Sequence, residues 1–275
     1  MMRMITVMVA TLLAPAMAPA RAAAGLPADS TASAVRIRAE FAEIPSNSEN
    51  KSGVARAASW LEKRFADLGF ETRLLDGGGN PAVYASRGGT AGAGTILFYM
   101  HYDTQPTGGR QEWDSTGGDP FAPRLLSGEY SEAGVRTLPL AGIEDVLPEL
   151  ARLYARGAAD DKAPIVMHLV ALAQWLARPS SRRVTMKFLL DGEEEAGSPG
   201  FDSILRQHRD LLAADLLVLC DGPMDAMGRP SVYLGARGNM HMKLTVRTGE
   251  RPAHSGNYGL LPNAAFRVAS LLATM

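Results

Sequence analysis

The sequence predicts an α/β fold in which a sheet is largely buried between helical layers, and three observations carry that prediction. Thr95–Met100, Arg183–Leu190 and Asp215–Cys220 are continuous apolar runs, the character of strands covered on both faces. Stretches with helical spacing, Pro164–Leu176 and Phe201–Leu212, lie between them. Strands alternating with helices in this order give an α/β sandwich. The acidic and histidine residues follow the ends of the apolar runs, which is where open α/β sheets place their ligands.

Taken in order, the chain opens with an address. Arg3 precedes an apolar stretch from Ile5 to Ala14 and a small-residue run, Ala16–Ala24, the layout of a secretory signal peptide over residues 1–22. Ala20-Arg21-Ala22 is the expected cleavage motif, leaving Ala23 as the mature start, and the Ala-rich signal has a bacterial look. The apolar run is too short to span a bilayer. The expected localisation is therefore export, periplasmic or secreted. Asn50-Lys51-Ser52 matches a glycosylation acceptor, which carries little weight behind such a signal.

From Ser52, Val54, Ala58, Leu61, Phe65 and Leu68 recur at helical spacing, and Gly69 stands where that helix should stop. Glu71–Leu75 and Ala82–Ser86 are expected strands, separated by Gly77-Gly78-Gly79-Asn80-Pro81. That glycine run lacks the Lys-Ser/Thr ending of a phosphate loop and opens onto proline, so it is a turn. Gln111 to about Pro148 is rich in Gly, Pro, Ser and charge, and is expected as a long surface loop bordering the site. After Gly235-Ala236-Arg237-Gly238, Met240–Thr248 alternates as a half-exposed antiparallel strand would. The expected division is a larger domain over 23–236 and the start of a smaller one over 237–275.

Composition narrows the function. With 28 basic against 29 acidic residues, a formal charge of −1, nothing recommends nucleic acid or anionic membrane as a partner. The single cysteine, Cys220, excludes an internal disulfide and any multi-cysteine metal site.

Four separate elements deliver carboxylates or imidazole to one sheet edge: His101-Tyr102-Asp103, Asp160-Asp161-Lys162, Glu193-Glu194-Glu195 and Asp221. Crowded carboxylates repel and resist burial unless compensated, and divalent cations compensate them. Imidazole with carboxylates and no thiolate suits zinc, or less specifically cobalt or manganese. In His-x-Asp on a strand both side chains share a face, so His101 can bind metal while Asp103 accepts its other ring N–H. Adjacent glutamates suit a division between metal binding and proton handling. Each piece alone has a plainer explanation as a cap, a turn or a solvated helix end; their joint placement points to one site.

These residues resemble the co-catalytic di-zinc metallopeptidases that include carnosinase-like dipeptidases, carboxypeptidase G, aminoacylase and the acetylornithine and succinyl-diaminopimelate deacylases. The match runs from about Ser46 to the last residue. It is carried by Met100-His101-Tyr102-Asp103, Asp119-Pro120-Phe121, Tyr154–Lys162, Gly192–Ser198, Cys220-Asp221-Gly222-Pro223, Arg237-Gly238-Asn239 and Ala253-His254-Ser255-Gly256. The resemblance implies a zinc-peptidase-like α/β/α sandwich followed by the start of an α+β, ferredoxin-like lid and dimerisation domain. It implies two zinc ions per subunit, with His101, Asp160 (bridging), Glu195 and Asp221 as ligands. Glu194 is then the general base, Asp103 orients His101, and His254 of the lid stabilises the developing oxyanion, often in the partner subunit's site. A homodimer through the lid follows. The implied substrate is a small peptide, cleaved at its amide bond; alternatives are an N-acyl amino acid deacylase on the same scaffold, or an inactive fragment that only binds metal or peptide.

The chain departs from the family pattern in three places. Ala163 stands where Gly usually follows Asp-Asp-Lys, and the loop from Phe121 to Tyr154 is long. A late histidine for the second metal and most of the lid are missing, so the chain is expected to be C-terminally truncated. His168, His208 and His241 lie in contexts unlike that motif.

Overall fold

The computed structural model describes residues 31–141, 147–178, 184–222, 229, 231–235, 237–251, 254, 256 and 263–275. The signal-peptide segment lies outside them, as do Arg183, Pro223, Ala253 and Ser255 among the sequence motifs. The chain divides into two compact units, Met1–Gly235 and Ala236–Met275.

The first unit is built on a five-stranded sheet ordered β1-β2-β7-β3-β8. Its strands are β1 (Glu71–Leu75), β2 (Ala82–Arg87), β3 (Thr95–His101), β7 (Thr185–Asp191) and β8 (Leu216–Leu219). β3 runs parallel to both β7 and β8, whereas β2 is antiparallel to β1 and β7. Three helices cover one face: α1 (Thr31–Ala42), α2 (Lys51–Asp67) and α3 (Lys162–Leu176). Phe41, Leu61, Phe65, Ile165 and Leu169 pack there on Met100, Phe188 and Leu190. The other face carries α4 (Phe201–Gln207) and α5 (Arg209–Leu212), with Ile204 and Leu212 on Tyr84, Leu97 and Leu189. Alternation along β3 explains the double burial: Ile96, Phe98 and Met100 serve the first layer, Leu97 and Tyr99 the second. The expected α/β/α sandwich is the observed architecture. Its second layer is thinner, leaving an apolar groove of about 820 Å³ between Leu97, Leu189, Phe201, Leu205 and Leu217.

Local chemistry sets the element ends. Asn50 accepts from the Gly53 N–H at 3.1 Å and donates its amide to the Pro45 carbonyl at 2.8 Å, so the glycosylation-like asparagine is a helix cap. Gly69 follows α2 at φ 77°, the left-handed stop its position predicts.

Three expectations need correction. First, the helix expected over Phe201–Leu212 is two, broken at His208, where φ is −117°. Second, the stretch from Gln111 to Pro148 is not one loop. Residues Arg110–Thr116 form a 3₁₀ helix, and β4 (Arg124–Leu126), β5 (Thr137–Leu138) and β6 (Arg152–Tyr154) make a small antiparallel sheet packed by Leu125 on Ala32 of α1. Strands of two and three residues are too short to show periodicity, and their pairing is set by tertiary contact. Third, Met240–Thr248 is largely exposed and forms no strand among the described residues. Alternation makes a strand only where another segment supplies the ladder. Among the described residues of the second unit the one regular element is a helix, α6 (Ala264–Leu272), capped by Asn263 on the Ala265 N–H at 2.8 Å. A helix ahead of Ser52 was not among the expectations, yet α1 buries Ile37, Phe41 and Ala42.

Candidate metal centre

The site lies where the parallel strands β3, β7 and β8 end. His101 is the last residue of β3, paired in register with Asp191 at the end of β7. Its side chain is 1% exposed. Nε2 faces three carboxylates: Asp160 Oδ1 at 3.0 Å, Asp221 Oδ2 at 3.8 Å and Glu194 Oε2 at 3.9 Å. Nδ1 faces back to Asp103, 3.2 Å from its carbonyl oxygen and 3.3 Å from Oδ1. One ligand atom each from His101, Asp160 and Asp221 lies within 4.8 Å of the others.

Asp103 does more than face the imidazole. It is fully buried, and its two oxygens accept the Glu194 and Glu195 N–H groups, both at 3.1 Å. The 3₁₀ turn Glu194–Ala196 is thereby tied to the same carboxylate as His101. Asp161, 2% exposed, accepts the His101 backbone N–H at 3.1 Å. Next to it, Lys162 is fully buried and donates to the carbonyls of Phe41 and Ile44 at 3.0 and 2.7 Å, binding the start of α3 to the end of α1.

The electrostatics reflect crowding of like charge. Burial alone would lower the His101 pKa, but the hydrogen bond its ring N–H donates to Asp103 and the charges of Asp161, Asp103 and Asp221 override it, and it is pushed up to about 10. Burial raises Glu194, opposed by His101 and reinforced by Asp221, Glu195 and Asp103. Burial likewise raises Asp221 and lifts Asp161 to about 8. Burial without an acidic partner drops Lys162 to about 7.

A divalent cation fits this donor set. A buried imidazole aims one nitrogen into a cluster of acidic oxygens that lacks any thiolate, which is the chemistry of zinc and its harder neighbours. The other nitrogen is fixed by a carboxylate and a carbonyl, the support that orients ligating histidines.

Of the residues expected in the site, His101, Asp103, Asp160, Glu194 and Asp221 are brought together. Glu195 neighbours them, but its Oε2 accepts from Gln105 Nε2 at 2.6 Å and is not among the three clustered ligand atoms. His254 belongs to the second unit, where it is exposed and its Nδ1 accepts the Gly256 N–H at 3.2 Å. Asp161, Lys162, Gln105 and Glu193 also support the site without having been assigned roles. Asp161 and Lys162 sat inside a motif whose ligand drew the reading; nothing local marks Gln105.

Fold and site together define an α/β protein with an imidazole–carboxylate cation site at the carboxyl edge of its sheet. A profile of peptidase family M20/M25/M40 matches residues 97–264. The chain belongs to that family. It is 26% identical over 181 residues to the human Beta-Ala-His dipeptidase, covering 65% of this chain and 31% of the relative. It is 29% identical over 196 residues to the succinyl-diaminopimelate desuccinylase of Paracidovorax citrulli, covering 68% of this chain and 44% of the relative. The crystal structure of an M20 family metallo-carboxypeptidase from Sulfolobus solfataricus superposes with TM-score 0.65 at 28% identity, over 88% of this chain and 49% of the other. The chain thus spans about a third to a half of the length of these proteins.

Proposed function

We propose that this chain carries metal-dependent hydrolysis of an amide bond in small peptides, in the manner of a dipeptidase or carboxypeptidase. The observation that carries the reading is His101 Nε2 facing Asp160 and Asp221 with Glu194 alongside. His101, Asp160 and Asp221, with Glu195 beside them, are the residues that would hold zinc, two ions per subunit, with cobalt or manganese as substitutes. Bound there, divalent zinc supplies the charge that acidifies water and polarises a carbonyl. Glu194 takes the proton from the attacking water and returns it to the leaving amine; its raised pKa suits both steps. Asp103 holds the His101 ring and the Glu194 backbone in one frame. By the family resemblance, His254 would be the donor to a developing oxyanion, in the partner subunit's site.

Membership of the family and the dipeptidase relative support the peptidase reading. A second reading, an N-acyl amino acid deacylase, is supported by the desuccinylase relative. The basic start, apolar stretch and small-residue run of residues 1–22 support export to the periplasm or medium. Homodimerisation through the second unit is supported by the apolar surface of α6, where Phe266 and Leu272 are 74% and 55% exposed.

The test is zinc content together with a panel of dipeptides and N-acetyl and N-succinyl amino acids. Dipeptide cleavage with bound zinc supports the peptidase; release only from acylated substrates selects the deacylase. Sub-stoichiometric zinc with no hydrolysis overturns both in favour of a non-catalytic remnant. Glu194→Gln should lower kcat about 10²–10⁴-fold with zinc retained. His254→Ala should lower kcat about 10²-fold, also with zinc retained.

A further inference from the structure

The Gly77–Asn80 turn and the first glutamate of the acidic triplet have no part in the chemistry above, yet they are joined. Glu193 is 4% exposed, and no Lys or Arg forms an ion pair with its carboxylate among the described residues. Its burial is compensated instead by backbone: Oε2 accepts the Asn80 N–H at 2.8 Å and Oε1 the Gly200 N–H at 2.6 Å. The glycines permit the approach. A Cβ on Gly79 would collide with both Glu193 carboxylate oxygens, and one on Gly77 with the Gly200 carbonyl. The Asn80 side chain, itself 2% exposed, donates to the Ser48 and Gly192 carbonyls at 2.9 and 2.8 Å and accepts from Lys51 Nζ at 2.7 Å.

The Glu193 main chain in turn closes the catalytic loop. Its carbonyl accepts the Ala196 and Ser198 N–H groups at 3.1 and 2.9 Å, and its own N–H donates to Asp191 Oδ1 at 3.0 Å. The loop is therefore held from two sides, by Asp103 on the N–H groups of Glu194 and Glu195 and by the Glu193 carboxylate bridging the glycine turn to Gly200.

We propose that Glu193 and the Gly77–Asn80 turn form a clasp that positions Glu194 and Glu195 for their work, making Glu193 a positioning residue for the metal centre. The proposal rests on the hydrolase reading above. Of three adjacent glutamates, one is spent on backbone hydrogen bonds, the next faces His101 and the third lies beside the site.

The test is cobalt binding by the full chain, followed through visible absorption, in wild type, Glu193→Gln, Gly79→Ala and Glu195→Gln. Glutamine keeps the volume but turns an NH2 towards one of the two backbone donors; alanine at position 79 displaces the carboxylate with its charge intact. Both clasp variants should weaken cobalt binding about 10–100-fold, the cost of losing outer support to a ligand, and should approach Glu195→Gln. Wild-type cobalt affinity in both, with only a lowered Tm, overturns the clasp and leaves the hydrolase reading standing. No cobalt binding by wild type overturns the hydrolase reading and the clasp with it. If the variants do not fold, hydrogen exchange on wild type decides. Cobalt should slow exchange in residues 77–80 together with 193–200; protection confined to 193–200 overturns the proposal.

Discussion

His101 and Asp103, on the inner side of the metal centre, are 1% and 0% exposed, whereas Asp160 and Asp221 on its outer side are 69% and 38% exposed. The inner carboxylates end on fixed backbone donors: Asp103 on Glu194 and Glu195, Asp161 on His101, Glu193 on Asn80 and Gly200. Among the described residues, the hydrogen-bond or ion-pair partner of the outer ones is the imidazole. Asp103 and Glu193 are compensated by two backbone N–H groups each, which the fold supplies. The outer carboxylates need a cation, since like charges held this close repel. Rigidity and reactivity are thus divided between two sets of chemically similar residues.

The sharpest way to break this comparison is to remove one member from each side. Asp160→Ala should abolish measurable metal pairing and hydrolysis together, while the metal-free chain, which loses one exposed partner of the His101 ring, changes in stability by no more than about 1 kcal/mol. Metal titration and thermal unfolding check this; retained metal pairing would refute the assignment. Asp103→Asn should behave in the opposite sense. An amide cannot accept from both Glu194 and Glu195, so a buried donor is orphaned and stability should fall by about 1–3 kcal/mol, with metal affinity reduced about 10–100-fold rather than lost. Denaturant titration of the metal-free protein separates the two variants.

A smaller effect follows from His101. Its pKa is pushed up to about 10 in the metal-free chain, so at pH 7 the ring is protonated, and a ligand must be neutral. Metal binding at pH 7 should release about one proton from this residue, and affinity should rise with pH until that proton is lost near 10. Calorimetry in buffers of different ionisation enthalpy measures the release; no uptake of protons by buffer would mean that the His101 ring does not bind metal from a protonated state.

Much of the fold was legible because its signals are local. The limits of β1 and the stop of α2 at Gly69 follow from patterning and one glycine, and β3 and β8 are apolar runs long enough to stand out. His101, Asp160 and Asp221 were legible for a related reason: each follows such a run or stands just ahead of a helix, and sheet topology carries those points to one edge. The small β4–β6 sheet was not, because β4 and β6 are short and meet only after the chain has folded back. The alternation of Met240–Thr248 misled because period alone cannot supply a hydrogen-bonding neighbour.

By itself, then, the order of residues determined the layered α/β architecture, the edge at which acidic groups and imidazole collect, and the family to which the motifs belong. Tertiary structure alone decided what each carboxylate is held by. Glu193, Glu194 and Glu195 are identical in chemistry and adjacent in the chain, and so are Asp160 and Asp161. Burial and the direction of backbone N–H groups separate them. Glu193 and Asp161 are drawn inward to fixed donors, while Glu194 and Asp160 are left facing the imidazole. A carboxylate's role depends on what compensates its charge, and that partner is supplied by residues distant in sequence.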